Sequence, residues 1–378
     1  MQKLNAAEES WEILKQFLPD NLEQSAREHG ALRRARGVGS ADVLLRLILL
    51  HVAGGLSLEQ SVVRARENGL VKISAVGLFK RLRSAGPWLT WITTELVKGL
   101  SKDWDDALWK GRPIRALDAT DIEEPGATGT DWRLHYSIRL PQLSCDFLEL
   151  TDVHAGAETL KRLPINEGDI VLCDRGYSHR AGVARVLAHK ADVVVRLNSG
   201  CFPLEDAKGK PLSLVKLVAK LRVGKIGEWP VWFKHEGLRH RLRLCVLHKS
   251  HVATERARYK AEREARKKGE QVRPETLKLA AFVLVLTSLP SSWGRAALIL
   301  ELYRARWQVE LAFKRLKQLL AAGHVPKTTD ASSRAWLQAK IMTALLIEHM
   351  IHAGRFFSPW GYRLLRGETV ASLQGSAG

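Results

Sequence analysis

The chain has 378 residues, and its 59 Lys and Arg against 40 Asp and Glu give a formal net charge of +19 at pH 7. Its hydrophobic content of 46% is enough for a buried core, which excludes a disordered basic tail. The length indicates two or three domains, and the charge surplus favours a polyanionic partner, either nucleic acid or an anionic membrane surface. Charge alone does not exclude a ribosomal protein or another basic cytosolic protein.

Cysteine spacing and hydropathy indicate the compartment. The four cysteines form no C-x-x-C pair, so neither a zinc site nor a disulfide framework is indicated. The acidic, amphipathic N-terminus is not typical of a signal peptide. The longest apolar run, residues 43–53, contains Arg46 and His51 and is too short to span a bilayer. We therefore expect a soluble cytoplasmic protein with no membrane partner.

Residues 1–110 predict a helical domain. One predicted helix of this domain begins after Ser74, which is its N-cap. Three basic residues lie near the C-terminal end of this helix: Lys80, Arg81 and Arg83. A helix, a turn and a basic helix are compatible with helix-turn-helix binding of DNA. They are equally compatible with a small helical bundle whose solvated face is basic.

From residue 112 onward the pattern changes to strands. Short apolar or alternating runs predict a mixed sheet with helices packed on it. The predicted elements are strands at 114–119, 132–140, 147–154, 169–173 and 192–197, with a helix at 178–190.

Residues 200–290 have the character of an insertion between two halves of one domain. They combine hairpin-like β segments with a charge-rich run that predicts an exposed helix or a mobile arm, and they end in a buried strand at 281–287.

Two helices follow, one long helix from about 295 to 322 with Gly323 as C-cap and one from about 331 to 353. The predicted division is a helical domain at 1–110, a first core part at 111–199, an insertion at 200–290, a second core part at 291–353 and a tail at 354–378.

Two aspartates stand where predicted buried strands end. Asp118 ends the run RALDAT, and Asp174 ends VLCDRG. Carboxylates at neighbouring strand ends would bring hard oxygen ligands together beside a loop-lined cleft, which suits Mg2+. Each aspartate is also a common residue type in a turn that ends a strand, and that interpretation stays open from these residues alone.

The long helix carries a second group of polar residues. Tyr303, Arg306, Glu310 and Lys317 lie at offsets 0, 3, 7 and 14, which places them within a stripe of about 60° on one face of a continuous helix. Arg can hold a phosphate bidentately, Lys acts as a point charge and Tyr can donate to a phosphate oxygen. A solvated helix face with ordinary Glu/Lys and Glu/Arg spacing is the alternative.

These motifs resemble those of the DDE transposases of bacterial insertion sequences, specifically the insertion-sequence-four family. The family signature Y-x2-R-x3-E-x6-K is matched by YRARWQVELAFKRLK. LDATDIEEPGATGTDWRLHY resembles the region of the first aspartate, and VLCDRGYSH resembles the D-R-G-[YF] context of the second. The similarity extends from the helical N-terminal region to the end of the helix that bears the glutamate.

The resemblance implies an RNase H-like α/β core interrupted by a β-rich insertion, with an N-terminal helical DNA-binding domain. Asp118, Asp174 and Glu310 would be the catalytic, metal-binding triad for two Mg2+ ions, with Mn2+ as a substitute, in phosphoryl transfer on DNA. Other carboxylates follow Asp118 closely and could be the first ligand instead, although the D-A-T context favours Asp118: Asp121, Glu123 and Glu124.

The resemblance also implies partners. Tyr303, Arg306 and Lys317 would hold phosphates of double-stranded DNA at the transposon end, before the freed 3′-hydroxyl attacks target DNA. A hairpin on the transposon end and a homodimer on paired ends are expected, in a cytoplasmic, nucleoid-associated protein.

Relatives of this family use a tryptophan of the insertion to stack on an extruded base. At the comparable strand this chain has Phe282 and Val283. Trp307, Trp229 or Trp232 could stack instead, or these tryptophans could be packing residues of the core and hairpins.

Two other classes of protein remain as alternatives. One is a catalytically inactive, transposase-derived DNA-binding protein or repressor. The other is a different RNase H-like nuclease, such as a resolvase or a repair enzyme.

Overall fold

The computed structural model of the chain describes residues 6–33, 37–100, 111–123, 132–152, 158–314, 316–317, 325 and 330–354. The helices of these ranges are α1 (Ala6–Lys15), α2 (Leu22–Glu28), α3 (Ala41–Val52), α4 (Leu58–Glu67), α5 (Ala75–Ser84), α6 (Gly86–Leu100), α7 (Arg180–Ala188), α8 (Leu214–Val218), α9 (His251–Lys267), α10 (Pro274–Leu279), α11 (Ala296–Ala305), α12 (Gln308–Lys314) and α13 (Asp330–Gly354). The strands are β1 (Ile114–Ile122), β2 (Trp132–Leu140), β3 (Ser144–Asp152), β4 (Ile170–Cys173), β5 (Asp192–Arg196), β6 (Ile226–His235), β7 (Leu238–His248) and β8 (Phe282–Thr287). The predicted Gly323 C-cap lies outside the described residues.

The chain divides into two units. Residues 1–102 and 320–378 form the helical unit, and residues 103–319 form the sheet unit. No helix in the described ranges has both the length and the apolar character needed to cross a bilayer.

In the helical unit, serine caps fix where the helices begin. Ser57 accepts from the amide of Gln60, whose side chain accepts in return from the Ser57 amide, so α4 begins with a capping box. Ser74 accepts from the amide of Gly77 and caps α5. The Ser74 cap and the helix that follows it therefore agree with the sequence prediction.

Helix α13 belongs to the helical unit, whereas the sequence prediction placed it in the second part of the core. It packs on α6, α5 and α3. Ala335 fits closely against Gly86 at the start of α6, and the His349 ring donates to the Leu96 carbonyl at 2.8 Å. Small residues on both helices allow this close approach, and a regular helical pattern in sequence does not reveal the surface against which it packs.

The sheet unit contains one mixed sheet in the order β3-β2-β1-β4-β5-β8-β7-β6. Strands β1, β4 and β5 are parallel, and β2 and β3 pair antiparallel beside β1. Every residue of β4 is buried, as expected for a parallel strand covered on both faces. The predicted α/β architecture, a mixed RNase H-like sheet with flanking helices, is confirmed.

The strands of residues 200–290 extend the same sheet. Strands β6 and β7 form a hairpin around Glu236 and Gly237, which both have positive φ, as a two-residue type I′ turn requires. Strand β7 then pairs antiparallel with β8, and β8 pairs antiparallel with β5. The predicted hairpin is confirmed, and the charge-rich run forms the helix α9, of which only Thr254 is buried.

These pairings also fix strand directions. Because β8 is antiparallel to both β5 and β7, β7 points the same way as β1, β4 and β5. The carboxyl ends of all four strands therefore lie along the same side of the sheet, which we call the carboxyl side. Residues at these four ends can contribute to one site.

The predicted continuous helix from about 295 to 322 is wrong. Helix α11 ends at Ala305 and α12 begins at Gln308. Between them, the amides of Arg306, Trp307, Val309 and Glu310 bond to carbonyls three residues earlier, which is the tighter 3-10 pattern. The single helical face assumed from the spacing is thus replaced by two short helices with a turn between them.

A buried histidine in β2 predicts how stability depends on pH. Burial, followed by the positive charges of Arg162 and Arg133, lowers the pKa of His135 to about 4. The folded chain therefore disfavours the charged ring, and the free energy of unfolding should fall by up to about 1.4 kcal/mol per pH unit as the pH drops from 6.5 towards 4. The free energy of unfolding, measured with urea, should differ less between pH 7 and pH 5 in H135Q than in the wild type. The exposed His189 supplies the control variant H189Q, and equal pH dependence in H135Q and the wild type would contradict the prediction.

Candidate active site

Two carboxylates meet at the carboxyl side of the sheet. In the parallel pairing of β1 with β4, Leu117 is the partner of Cys173, so the next residues, Asp118 and Asp174, are neighbours. Strand β1 continues beyond this point to Ile122, whereas β4 ends at Cys173. Both aspartates are partly buried and lie on neighbouring strands, as expected. The prediction that Asp118 ends its strand is wrong, because Asp118 lies within β1, whereas Asp174 does follow the end of β4.

The turn between α11 and α12 brings three further polar groups to these aspartates. The Tyr303 hydroxyl donates to Asp174 Oδ1 at 2.9 Å. The Arg306 guanidinium donates from Nη1 to Asp118 Oδ2 at 2.8 Å and from Nη2 to Glu310 Oε1 at 2.5 Å. One guanidinium thus joins the carboxylate of β1 to that of α12.

Lys317 lies just beyond α12. Its ammonium donates to the main-chain carbonyl of Asp121 at 2.7 Å, three residues after Asp118 on β1. The structure therefore brings Tyr303, Arg306 and Lys317 to the carboxyl side of the sheet, although not on one helical face.

The two aspartates have opposite pKa shifts. Burial, together with the negative charges of Asp174 and Glu158, raises the pKa of Asp118 to about 6 despite the Ala119 amide and Arg306. Burial also opposes ionisation of Asp174, but the Arg175 amide, Arg306 and the Tyr303 hydroxyl outweigh it and lower the pKa of Asp174. The negative charge of Asp174 is thus stabilised by its hydrogen-bond donors, whereas the donors of Asp118 do not offset the cost of burying its charge.

The residues that hold these carboxylates are themselves shifted. Burial and then the Asp174 charge raise the pKa of Tyr303, so its hydroxyl keeps its proton and remains a donor. Although burial opposes the charge of Arg306, its hydrogen bond to Glu310 and the charges of Asp174 and Asp118 raise its pKa. Its Nε is buried without a hydrogen-bond partner, so its bonding is directed to the two carboxylates.

The donor set fits a divalent cation. The described residues contain no group of three acidic, histidine or cysteine side chains that could already hold a metal ion. Asp118 and Glu310 nevertheless converge on one cationic group, and the charge of Asp118 is undercompensated. Carboxylate oxygens arranged around a cation suit a hard metal ion such as Mg2+ or Mn2+. Glu310, at 56% side-chain exposure, is the most exposed of the three candidate carboxylates.

A further carboxylate near the aspartates was missed from the sequence. Glu158 lies against Gly176, where a Cβ would overlap its carboxyl group, and burial followed by nearby charges raises its pKa. The glycine of the D-R-G-Y run was the available signal, because a glycine between polar residues often marks a close approach. Nothing in the spacing of Glu158 itself pointed to the site.

The remaining predicted DNA contacts are exposed or partly exposed side chains. Helix α5 of the helical unit carries Lys80 and Arg83 exposed and Arg81 partly buried. Trp307, in the turn between α11 and α12, is 48% exposed. These positions leave all four side chains accessible to a ligand.

The tryptophans of the insertion differ from Trp307. The indole ring of Trp232 lies beneath two guanidinium groups, those of Arg239 and Arg241, at 5.1 and 5.9 Å. Trp229 packs against the core of the sheet unit. Trp307 is therefore the most exposed of the three candidates for base stacking.

Comparison with known proteins gives one consistent result. Residues 150–346 match the family model described as the transposase DDE domain. The chain is 32% identical over 368 residues to the putative transposase InsL of insertion sequence element IS186A from Escherichia coli strain K12, covering 94% of this chain and 98% of that protein. It is also 32% identical over 369 residues, with the same coverage, to the transposase for insertion sequence element IS421 from Escherichia coli.

Proposed function

The chain belongs to the DDE transposases of the insertion-sequence-four family, and on this premise we propose that Asp118, Asp174 and Glu310 are its catalytic carboxylates. The protein is a DNA transposase, and its family uses divalent metal ions. The observation that carries the proposal is the double hydrogen bond of Arg306 to Asp118 and Glu310. It joins residues 118 and 310, which are far apart in sequence, within one small region beside Asp174.

The metal proposed for these carboxylates is Mg2+, as two ions, with Mn2+ able to replace it. Such ions, when bound, stabilise negative charge on the phosphate and lower the pKa of an attacking water or hydroxyl. Asp118 and Asp174 would hold them from the sheet, and Glu310 would complete the set from α12.

The other residues of the site have separate tasks. Tyr303 keeps the Asp174 carboxylate oriented through its hydroxyl. Arg306 neutralises Asp118 and Glu310 in the free protein and is well suited to donate to a phosphate oxygen once DNA is present. Lys317 places a further positive charge beside β1. These residues bind and orient, and the proposed mechanism uses no side-chain nucleophile.

The chemical sequence has two phosphoryl transfers. A water oxygen attacks the phosphorus at the element end, the bond to the 3′-oxygen breaks, and that oxygen takes up a proton. The freed 3′-hydroxyl then attacks a phosphorus of target DNA, and a target 3′-oxygen leaves. A hairpin on the transposon end would result if the same hydroxyl attacked the opposite strand first.

DNA contacts outside the carboxylates follow from the same proposal. Lys80, Arg81 and Arg83 of α5 would bind the terminal inverted repeats, consistent with a helical DNA-binding domain at 1–110. Trp307 would stack on an exposed base, because an aromatic face can stack on a base of any sequence.

We further propose a homodimer on paired ends, working in the cytoplasm at the nucleoid. The five-part domain division stays a hypothesis, apart from the placement of α13.

Joining of DNA strands tests the function. A pre-cleaved end of the element, mixed with a plasmid and Mg2+ or Mn2+, should become covalently attached to the plasmid. A plain RNase H-like nuclease would nick DNA without joining it. A transposase-derived repressor would bind the end but do neither, and either result would overturn the proposal.

A further inference from the structure

Three cations follow one another along the carboxyl side of the sheet beyond Asp174. Arg175 is the next residue after Asp174, and Arg196 ends β5, the strand paired in parallel with β4. Lys249 follows the end of β7, the fourth strand that points in this direction. From β4 to β7 there are three strand-to-strand spacings, about 14 Å measured across the strands. Lys249 also lies four residues farther along the strand direction than Arg196, because Val285 pairs with both Arg196 and Cys245.

The two arginines among these cations are accessible to a ligand, since Arg175 is exposed and Arg196 is partly buried. Within the described part of the chain, no side-chain hydrogen bond or ion pair is formed by the guanidinium of Arg175 or Arg196. Several buried or partly buried arginines of the sheet unit are instead paired with a carboxylate: Arg112, Arg115, Arg133, Arg162, Arg243 and Arg306. Arg185, also partly buried, donates to main-chain carbonyls. Unpaired guanidinium groups beside one another leave a positive potential that an anion would relieve.

Lys249 shows that the three groups are within electrostatic reach of one another. Its ammonium donates to the Ala280 carbonyl at 2.7 Å, which anchors it beside β8. Burial, followed by the charges of Arg196 and Arg175, lowers the pKa of Lys249 to about 8. Glu264 of α9 and Asp174 are the acids within reach of Arg175, and neither forms an ion pair with it.

We propose that Arg175, Arg196 and Lys249 form a binding site for backbone phosphates of the DNA strand that runs from the scissile position along the carboxyl side of the sheet. The inference rests on the proposed function, which places the scissile phosphate beside Asp174. One strand of duplex DNA has a phosphate about every 3.4 Å of helix axis, so the three strand spacings alone correspond to about four nucleotides. The guanidinium groups of Arg175 and Arg196, which come first on this path from Asp174, suit bidentate contacts with phosphate.

The shared ligand chemistry is a DNA backbone phosphate, and the strand could come from the element end or from the target. An element-end contact would affect both cleavage and joining. A target contact would affect joining alone. Binding to an element-end duplex and binding to a plasmid that lacks the end therefore test the two sources separately.

The test uses the full chain without metal and measures binding to an element-end duplex and to a plasmid lacking that end, from about 50 to 200 mM salt. R196Q should weaken binding about eightfold at 0.1 M salt and lower the salt slope by about 0.9, the effect of one lost phosphate contact. Loss on the element-end duplex alone assigns the site to the end, and loss on the plasmid assigns it to the target.

Two matched variants separate charge from structure. R196K keeps the charge and should bind almost as well as the wild type. R295Q removes an exposed arginine at the opposite end of α11 from Tyr303 and should leave the salt slope unchanged. The inference is overturned if R196Q binds both DNAs like R295Q, or if R196K loses as much affinity as R196Q.

Cleavage by the wild type separates this inference from the proposed function. If the wild type with Mg2+ fails to cut and join DNA, the function fails whatever R196Q does. If the wild type cuts and joins DNA while R196Q keeps its full salt slope, only the phosphate site is wrong.

Discussion

D118N, D174N and E310Q are each expected to lose metal-dependent DNA cleavage by more than about a hundredfold, while affinity for element-end DNA stays within a few-fold. Loss of a group that only orients a metal ligand already costs about 10- to 100-fold in affinity or activity, and a ligand itself should cost more. Cleavage of an end-bearing plasmid in Mg2+ and in Mn2+ measures the first quantity, and a gel shift without metal measures the second.

The opposite pKa shifts of the two aspartates predict opposite effects on stability. Because the folded chain raises the pKa of Asp118 to about 6, its ionised form is disfavoured by folding at pH 7, and D118N should melt at or above the wild-type temperature. The lowered pKa of Asp174 means that its charge stabilises the fold, so D174N should melt lower. Lost activity with retained stability in D118N would separate a catalytic role from a structural one.

Asp121 supplies the matched control for the first position of the triad. Its side chain is 46% exposed and pairs with Arg133, and it was an alternative first ligand on sequence grounds. D121N should therefore keep most of the cleavage activity. Retained cleavage in D118N together with loss in D121N would move the first ligand to Asp121, and retained cleavage in all three triad variants would exclude the proposed site.

Local pattern predicted the strands well because short buried runs in this chain are separated by clear turn residues. The predicted strand at 132–140 coincides with β2, and that at 192–197 differs from β5 by one residue. These strands are defined by alternation or by continuous burial, which are both properties of neighbouring residues.

The interruption after α11 could not be predicted in the same way. The apolar spacing of residues 295–322 is compatible with one helix, and no Pro or Gly marks a break there. The turn is accompanied by hydrogen bonds from Arg306 to Asp118, 188 residues earlier, and to Glu310. A contact across that separation has no local signal, so the sequence indicated which residues matter but not how they meet.

The position of Arg306 changes its expected role. The sequence suggested a phosphate ligand, whereas the structure places its guanidinium between Asp118 and Glu310, where it competes with any metal for the same oxygens. Charge-assisted hydrogen bonds of this kind contribute about 1.5–3 kcal/mol each, so metal binding to these carboxylates requires Arg306 to release them. A DNA phosphate beside the site would accept the released guanidinium.

R306A is therefore expected to bind Mn2+ about tenfold more tightly than the wild type in the absence of DNA, since about 1.4 kcal/mol of competing interaction corresponds to a factor of ten. Its DNA cleavage should nevertheless fall, because the scissile phosphate loses a bidentate donor. Titration of Mn2+ by calorimetry or electron paramagnetic resonance gives the affinity without any reference to turnover. R304A, which removes the exposed arginine two residues earlier, is the control and should bind Mn2+ like the wild type.

The same competition predicts a coupling between metal and DNA. In the wild type, element-end DNA should tighten Mn2+ binding, and Mn2+ should tighten DNA binding by the same factor, because coupling free energies are reciprocal. In R306A both effects should be much smaller, since no guanidinium remains to be transferred from the carboxylates to the phosphate. R306K keeps the charge but cannot bridge two carboxylates with a planar fork, so it should fall between the wild type and R306A. Equal Mn2+ affinity in R306A and R304A would show that Arg306 does not compete with the metal, and its contacts with Asp118 and Glu310 would then serve only to position α12.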